Sequence, residues 1–173
     1  MAKKISFSFV ETEKALKYFV GQQLRDTLGY ELLRIFCGYG DASIQRLVDG
    51  RGNDAKDGCT LLVKKKLAYR PVLSGDLTEA LNALTSDPAV TKKEPRLYVV
   101  CDGTNVLAYD PKEDDIYSNT IDLLWRDFEF FKPLAGIEKV QYAEEAEADV
   151  KSAEMMARIY DDIRRYNDVH DER

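Results

Sequence analysis

Histidine is nearly absent from this chain: His170 stands alone, which excludes a multi-histidine metal centre. Cys37, Cys59 and Cys101 are far apart and form no Cys-x-x-Cys pair. Their neighbours are largely apolar, so buried, reduced thiols and a cytoplasmic location are expected. No apolar run approaches the roughly 20 residues that cross a bilayer, and Met1-Ala-Lys-Lys4 is not followed by the apolar stretch of a signal peptide. Gly50-Arg-Gly-Asn53 lacks the spacing and the lysine of a P-loop, which removes the support for nucleotide hydrolysis. There is no internal repeat and no low-complexity tract. An overall positive charge is also missing: the net charge is −6, so the molecule as a whole is not a polybasic nucleic-acid binder.

What is present is an ordinary globular composition, 45% hydrophobic and 32% charged over 173 residues. One domain of that size buries about two-thirds of its unfolded surface. The charge is unevenly spread. Residues 51–70 carry six Lys/Arg against two Asp, and residues 144–173 carry ten Asp/Glu against five Lys/Arg. A polyanion would be steered by that local field rather than by the net charge.

Periodicity gives the elements. Ile5 to Val10 alternates as a short strand does, and Leu16, Phe19, Val20, Leu24, Leu28, Leu32, Ile35 and Phe36 recur at helical spacing. Residues 12–37 therefore read as one long helix or two broken near Gly29, stopped by Gly38 and Gly40. A short helix over 42–48 leads into the turn-rich 49–54. Residues 59–70 read as a strand, and residues from Ser74 or Asp76 to Leu84 as a capped amphipathic helix. Arg96 to Cys101 is the apolar run of a strand buried on both faces, and Asp102-Gly-Thr-Asn105 turns it into a partner strand over 106–109. The aromatic cluster 123–131 reads as core rather than as a base-stacking platform. An amphipathic helix is expected over 145–166. This order of elements implies an α/β layered fold.

The stretch Asp54-Ala-Lys-Asp57 to Lys64-Lys65-Lys66-Leu-Ala-Tyr-Arg70 carries the candidate chemistry. Metal-dependent phosphodiester cleavage needs carboxylates for a hard cation and a lysine beside the phosphate. Residues two apart on a strand share a face, so an acid and a lysine at that spacing would point at one phosphate. Asp57, with Asp54 as the weaker choice, takes the first carboxylate position, and Lys66 or Lys65 the lysine. Two residues before them stand Lys64 and Val63, so neither position supplies the second acid. Glu31, and less well Glu11, would be acids recruited from a helix. Binding without cleavage needs less: Arg51, Lys56, Lys64, Lys65, Lys66 and Arg70, joined by Lys92 and Lys93, would give salt-sensitive, sequence-blind contact with phosphates. Three lysines at a strand end also serve as a solvated, anti-aggregation edge.

Several segments follow one another in a familiar order: Leu32-Leu-Arg-Ile-Phe36, Asp57 with Lys64-Lys65-Lys66, Pro95 to Asp110, Phe130 to Gly136 and Ala148 to Asp162. Together they resemble the N-terminal region of MmeI-like, type IIG/IIL single-chain restriction-modification enzymes and their DNA-methyltransferase relatives. The resemblance implies a restriction-endonuclease-like α/β/α domain of the PD-(D/E)XK type with a mixed central sheet over 1–136. A linker and helix over 137–173 would lead to downstream domains. It implies Asp57 as metal-binding aspartate, Lys66 as catalytic lysine and Mg²⁺ as the ion, with the family's glutamate falling on Lys64. That departure points to a DNA-contacting domain that has lost cleavage, with an active Mg²⁺-dependent endonuclease as the alternative. An unrelated α/β interaction domain is the third reading. The family's methyltransferase domain, which uses S-adenosylmethionine, and its target-recognition domain would lie beyond Arg173, making this chain an N-terminal fragment.

Overall fold

The computed structural model describes residues 8–138 and 153–159. Contacts divide the chain into residues 1–137 and 138–173, and each unit is described by itself.

The first unit is a three-layer α/β/α structure. Its sheet has five strands in the order β1-β2-β3-β4-β5: Leu61–Val63, Leu67–Pro71, Leu97–Cys101, Asn105–Asp110 and Asp115–Thr120. The β2–β3 pair is parallel and the other three are antiparallel, so the sheet is mixed, as the resemblance implied. Helices α1 (Phe9–Lys17), α2 (Leu28–Cys37) and α3 (Asp41–Val48) precede the sheet, and α4 (Leu77–Ser86) and α5 (Pro88–Thr91) form the β2–β3 crossover.

Strand alternation assigns side chains to two cores. Leu61, Val63, Leu67, Tyr69, Leu97, Val99 and Cys101 face α2 and the 3-10 segment Phe128–Ala135. Leu62, Ala68, Val72, Tyr98 and Val100 face α4 and α5. All five residues of β3 are buried, in keeping with its uninterrupted apolar run. Asp76 caps α4 through the Thr78 N–H at 2.8 Å.

Four local readings of the sequence are corrected. Phe9 and Val10 are helical rather than extended. Ser8 accepts from the Glu11 N–H at 3.4 Å, and the Ser8-x-x-Glu11 start outweighs the alternation that precedes it. Residues 5–7 of the expected strand lie outside the described residues. The stretch 12–37 is two helices, but they part over 18–27 and not at Gly29. Gly29 sits inside α2, where a Cβ would lie 2.6 Å from the Tyr69 ring, so it is the residue that lets α2 close on β2. Residues 59–70 are not one strand: Lys64-Lys65-Lys66 is the turn of a β1–β2 hairpin, with Lys65 at φ 59°. Cys101 is buried, but Cys37 is half-buried and Cys59 exposed, because Cys59 belongs to the turn before β1.

The aromatic cluster is core. Phe130 and Phe131 are buried, and their rings stand 5.5 and 5.4 Å from that of Tyr117. Of the helix expected over 145–166, residues 153–159 are described and helical.

Candidate functional site

The connection before β1 builds a pocket of about 650 Å³ on the α5 side of the sheet. Asn53 ties this connection to the outer edge of β1. Its side-chain oxygen accepts from the N–H groups of Ala55 (3.1 Å) and Leu62 (2.9 Å), and its amide donates to the Thr60 carbonyl at 3.0 Å. The Asp54 N–H adds a bond to the Leu62 carbonyl at 2.8 Å. An otherwise bare edge strand is thereby covered.

Asp57 begins the tight turn into β1. One carboxylate oxygen accepts from the N–H groups of Cys59 (3.2 Å) and Thr60 (2.8 Å), and the other accepts the Thr60 hydroxyl at 2.5 Å. Partial burial pushes the Asp57 carboxyl up, but the Thr60 hydroxyl and the two backbone donors outweigh it and hold the pKa below the ordinary carboxylate value. The hairpin register pairs Leu61 with Tyr69, which places Thr60 opposite Arg70 one step further on. Arg70 accordingly donates from Nε to the Thr60 hydroxyl oxygen at 3.1 Å, and its Nη2 stands 3.6 Å from Asp57. Lys93 pairs with Asp54 at 2.9 Å, and Asp87 accepts from the Ala89 N–H at 2.9 Å. Leu62, Ala55 and Val90 form an apolar floor, and Lys56 and Lys92 complete the lining.

The expected catalytic group is not assembled. Asp57 lines this pocket, whereas Lys66 and Glu31 do not. The Lys66 ammonium lies 5.0 Å from the centre of the Tyr39 ring, and Tyr39 packs against the core on the α2 side of the sheet. Glu31 is on α2 itself and pairs with Arg34 at 3.6 Å. The sheet therefore separates both from Asp57. Of the basic side chains that line the pocket, Arg70 is the one that faces Asp57, and the residue two before it on the same strand face is Ala68, fully buried. Lys64 is in the hairpin turn and holds no strand position. Arg51 is engaged by Asp49 at 3.1 Å and is not part of the lining.

These residues do not fit a divalent cation. Both Asp57 oxygens are committed to the turn, Arg70 brings a fixed positive charge to the same place, and Ala68 offers no ligand. Among the described residues no three His, Cys, Asp or Glu side chains converge as a ligand set. Sequence reading missed Thr60, Ala68 and the Asp54–Lys93 pair. Asp57-x-x-Thr60 was the available signal, a turn in which a carboxylate caps the backbone and hydroxyl three residues on.

The turn joins this pocket to the hairpin tip. The Lys65 N–H donates to the Lys93 carbonyl at 3.0 Å, so exposed Lys64 and Lys65 stand beside Lys92 and Lys93. Lys56, Lys64, Lys65, Arg70, Lys92 and Lys93 thus lie on one continuous stretch of surface, drawn from three separated parts of the sequence. Among the described residues no helix is long and apolar enough to cross a membrane.

The family model described as "MmeI, N-terminal domain" matches residues 11–166. The chain is also similar to DNA methyltransferase A of Bacillus subtilis (strain 168), with 31% identity over 162 residues. That match covers 94% of this chain and 18% of the relative, so the chain spans less than a fifth of that protein's length. No solved structure matches. The fold, the order of the segments and the extent of the match lead to one assignment: this chain belongs to the family of MmeI N-terminal domains.

Proposed function

We propose that this domain is a DNA-contacting, non-cleaving module of a restriction-modification methyltransferase. Family membership sets aside an unrelated α/β interaction domain. The similarity to a DNA methyltransferase more than five times as long supports a parent protein that continues into further domains. Those are the methyltransferase and target-recognition domains of the same polypeptide, and S-adenosylmethionine belongs with the former.

The observation that carries the loss of cleavage is the pairing of Asp57. A carboxylate hydrogen-bonded by Thr60 and Cys59 and faced by Arg70, with Ala68 where a second acid would have to stand, has nothing with which to hold Mg²⁺ against a phosphodiester. The observation that supports DNA contact is the joining of Lys56, Arg70, Lys92 and Lys93 to the exposed hairpin tip, Lys64 and Lys65. Contacts of this kind go to phosphates and do not read bases, so they position a duplex for domains that recognise sequence.

Incubating supercoiled plasmid with the full chain in Mg²⁺ or Mn²⁺ is expected to leave it intact, while mobility-shift binding is expected at low salt. The reading is overturned by nicking that disappears in Asp57→Ala, or by the absence of binding at the lowest salt at which the protein stays dispersed.

A further inference from the structure

The pocket holds more donors than the fold uses. A guanidinium has five N–H donors in a planar fork. Arg70 commits Nε to Thr60 at 3.1 Å, while its approach to Asp57 at 3.6 Å is electrostatic and longer than a hydrogen bond. The ammonium groups of Lys56 and Lys92 have no acceptor among the described residues. The three carboxylates of the lining are each satisfied already: Asp54 by Lys93, Asp57 by its own turn and Asp87 by the start of α5. Four cations (Lys56, Arg70, Lys92, Lys93) against three carboxylates leave the lining with one surplus positive charge, in a chain whose net charge is −6.

We infer that this pocket is a metal-independent seat for one phosphate of a DNA strand, gripped by Arg70 with Lys92, Lys93 and Lys56 around it. The inference rests on the DNA-contacting reading above and gives it a site. Charge that a divalent cation would neutralise on a phosphate is neutralised here by the guanidinium, whose fork matches two phosphate oxygens. Thr60 holds the Nε of Arg70 and Asp57 faces its Nη2, which fixes one edge of the guanidinium and leaves the Nη1 end to the ligand. The phosphate belongs to a strand rather than to a small anion because the cations do not stop at the pocket. The Lys65–Lys93 backbone bond sets Lys64 and Lys65 alongside, where they meet further phosphates of the same backbone.

The test is binding of a short fluorescein-labelled duplex to the full chain by anisotropy, between 50 and 200 mM salt, in EDTA and in Mg²⁺. Each phosphate contact contributes about 0.9 to the slope of log affinity against log salt. Arg70→Ala is therefore expected to lower that slope by about one and to reduce the affinity lost across this salt range by about threefold. Wild-type binding in EDTA is expected to be no weaker than in Mg²⁺. Asp57→Ala removes a negative charge, which alone would tighten binding, yet it is expected to weaken binding because Arg70 loses its positioning.

In the wild-type protein, where folding is not in question, the Arg70 Nε–Hε resonance is expected to shift on adding the duplex. No binding at 50 mM salt would sink the DNA-contacting reading and this inference with it. Binding that needs Mg²⁺ overturns the inference alone, as does an unchanged slope in Arg70→Ala or tighter binding in Asp57→Ala. An Arg70 resonance that moves with inorganic phosphate but not with duplex also overturns it.

Discussion

Replacing Asp57 with alanine separates a structural carboxylate from a metal ligand by the sign of the stability change. The buried Thr60, 3% exposed, would lose the acceptor of both its N–H and its hydroxyl. An unsatisfied buried polar group costs about 1–3 kcal/mol. The Asp57 side chain is 42% exposed, so water takes over part of its role and the lower part of that range applies, about 1–2 kcal/mol. For a chain of this size each kcal/mol lowers Tm by about 2–4 °C.

The pH dependence follows from the depressed pKa of Asp57. Its contribution is fully present above the unfolded value of about 3.9 and is lost as pH falls through the lower folded value. Urea unfolding followed by circular dichroism should therefore show a constant deficit in Asp57→Ala from pH 7 to pH 5 that shrinks below about pH 4. A variant as stable as the wild type, or more stable, would refute the reasoning, because a carboxylate kept for a metal is relieved by removal when the metal is absent. A wild-type Tm that rises with Mg²⁺ while the variant's does not would refute it equally.

Gly29→Ala should destabilise the domain by up to about 2 kcal/mol: overpacking costs roughly 1–3, and the gain in helix propensity returns about 1. Three atoms of the Tyr69 side chain lie under 3.0 Å from the new Cβ, and Tyr69 is itself tethered by a hydrogen bond from its hydroxyl to the Arg25 carbonyl. Chemical denaturation decides it, and a stabilised variant would count against the packing described. Iodoacetamide should label exposed Cys59 in the native protein and reach buried Cys101 only on unfolding, as peptide mass mapping will show. Burial pushes the Cys101 thiol up to about 11, with the Gly103 N–H opposing it. The raised pKa favours the neutral thiol, so its contribution is complete below the unfolded value of about 8.5 and is lost as pH rises towards the folded value. Cys101→Ala should accordingly flatten the fall in stability on that side, and equal labelling of Cys59 and Cys101 would contradict the burial.

Much of the layer structure was legible in the sequence. The apolar run 97–101, the Asp102-Gly turn and the Asp76 cap each state their conformation locally, and the structure keeps all three. The hairpin within 59–70 was not legible, because its turn is made of lysines. Lys65 adopts a left-handed conformation that usually calls for glycine or asparagine, so nothing in Lys64-Lys65-Lys66 announced a reversal. Strand β5 was missed for a related reason. As an edge strand it buries little besides Tyr117, and Asp115-Ile-Tyr-Ser-Asn-Thr120 reads as loop.

The site inherited the first of these errors. On a continuous strand Lys66 is the lysine that the resemblance sets beside Asp57, whereas folding the segment at 64–66 sends Lys66 to the α2 side and brings Arg70 back against Thr60. Asp57 itself was legible as a turn carboxylate. Its partners were not, because they depend on a hairpin register that no local signal fixes.

The most direct test is calorimetric titration of the full chain with Mn²⁺ at neutral pH. The account predicts no saturable site, in the wild type and in Asp57→Ala alike. A one-to-one isotherm that disappears in Asp57→Ala would show that Asp57 holds a metal after all and would contradict it.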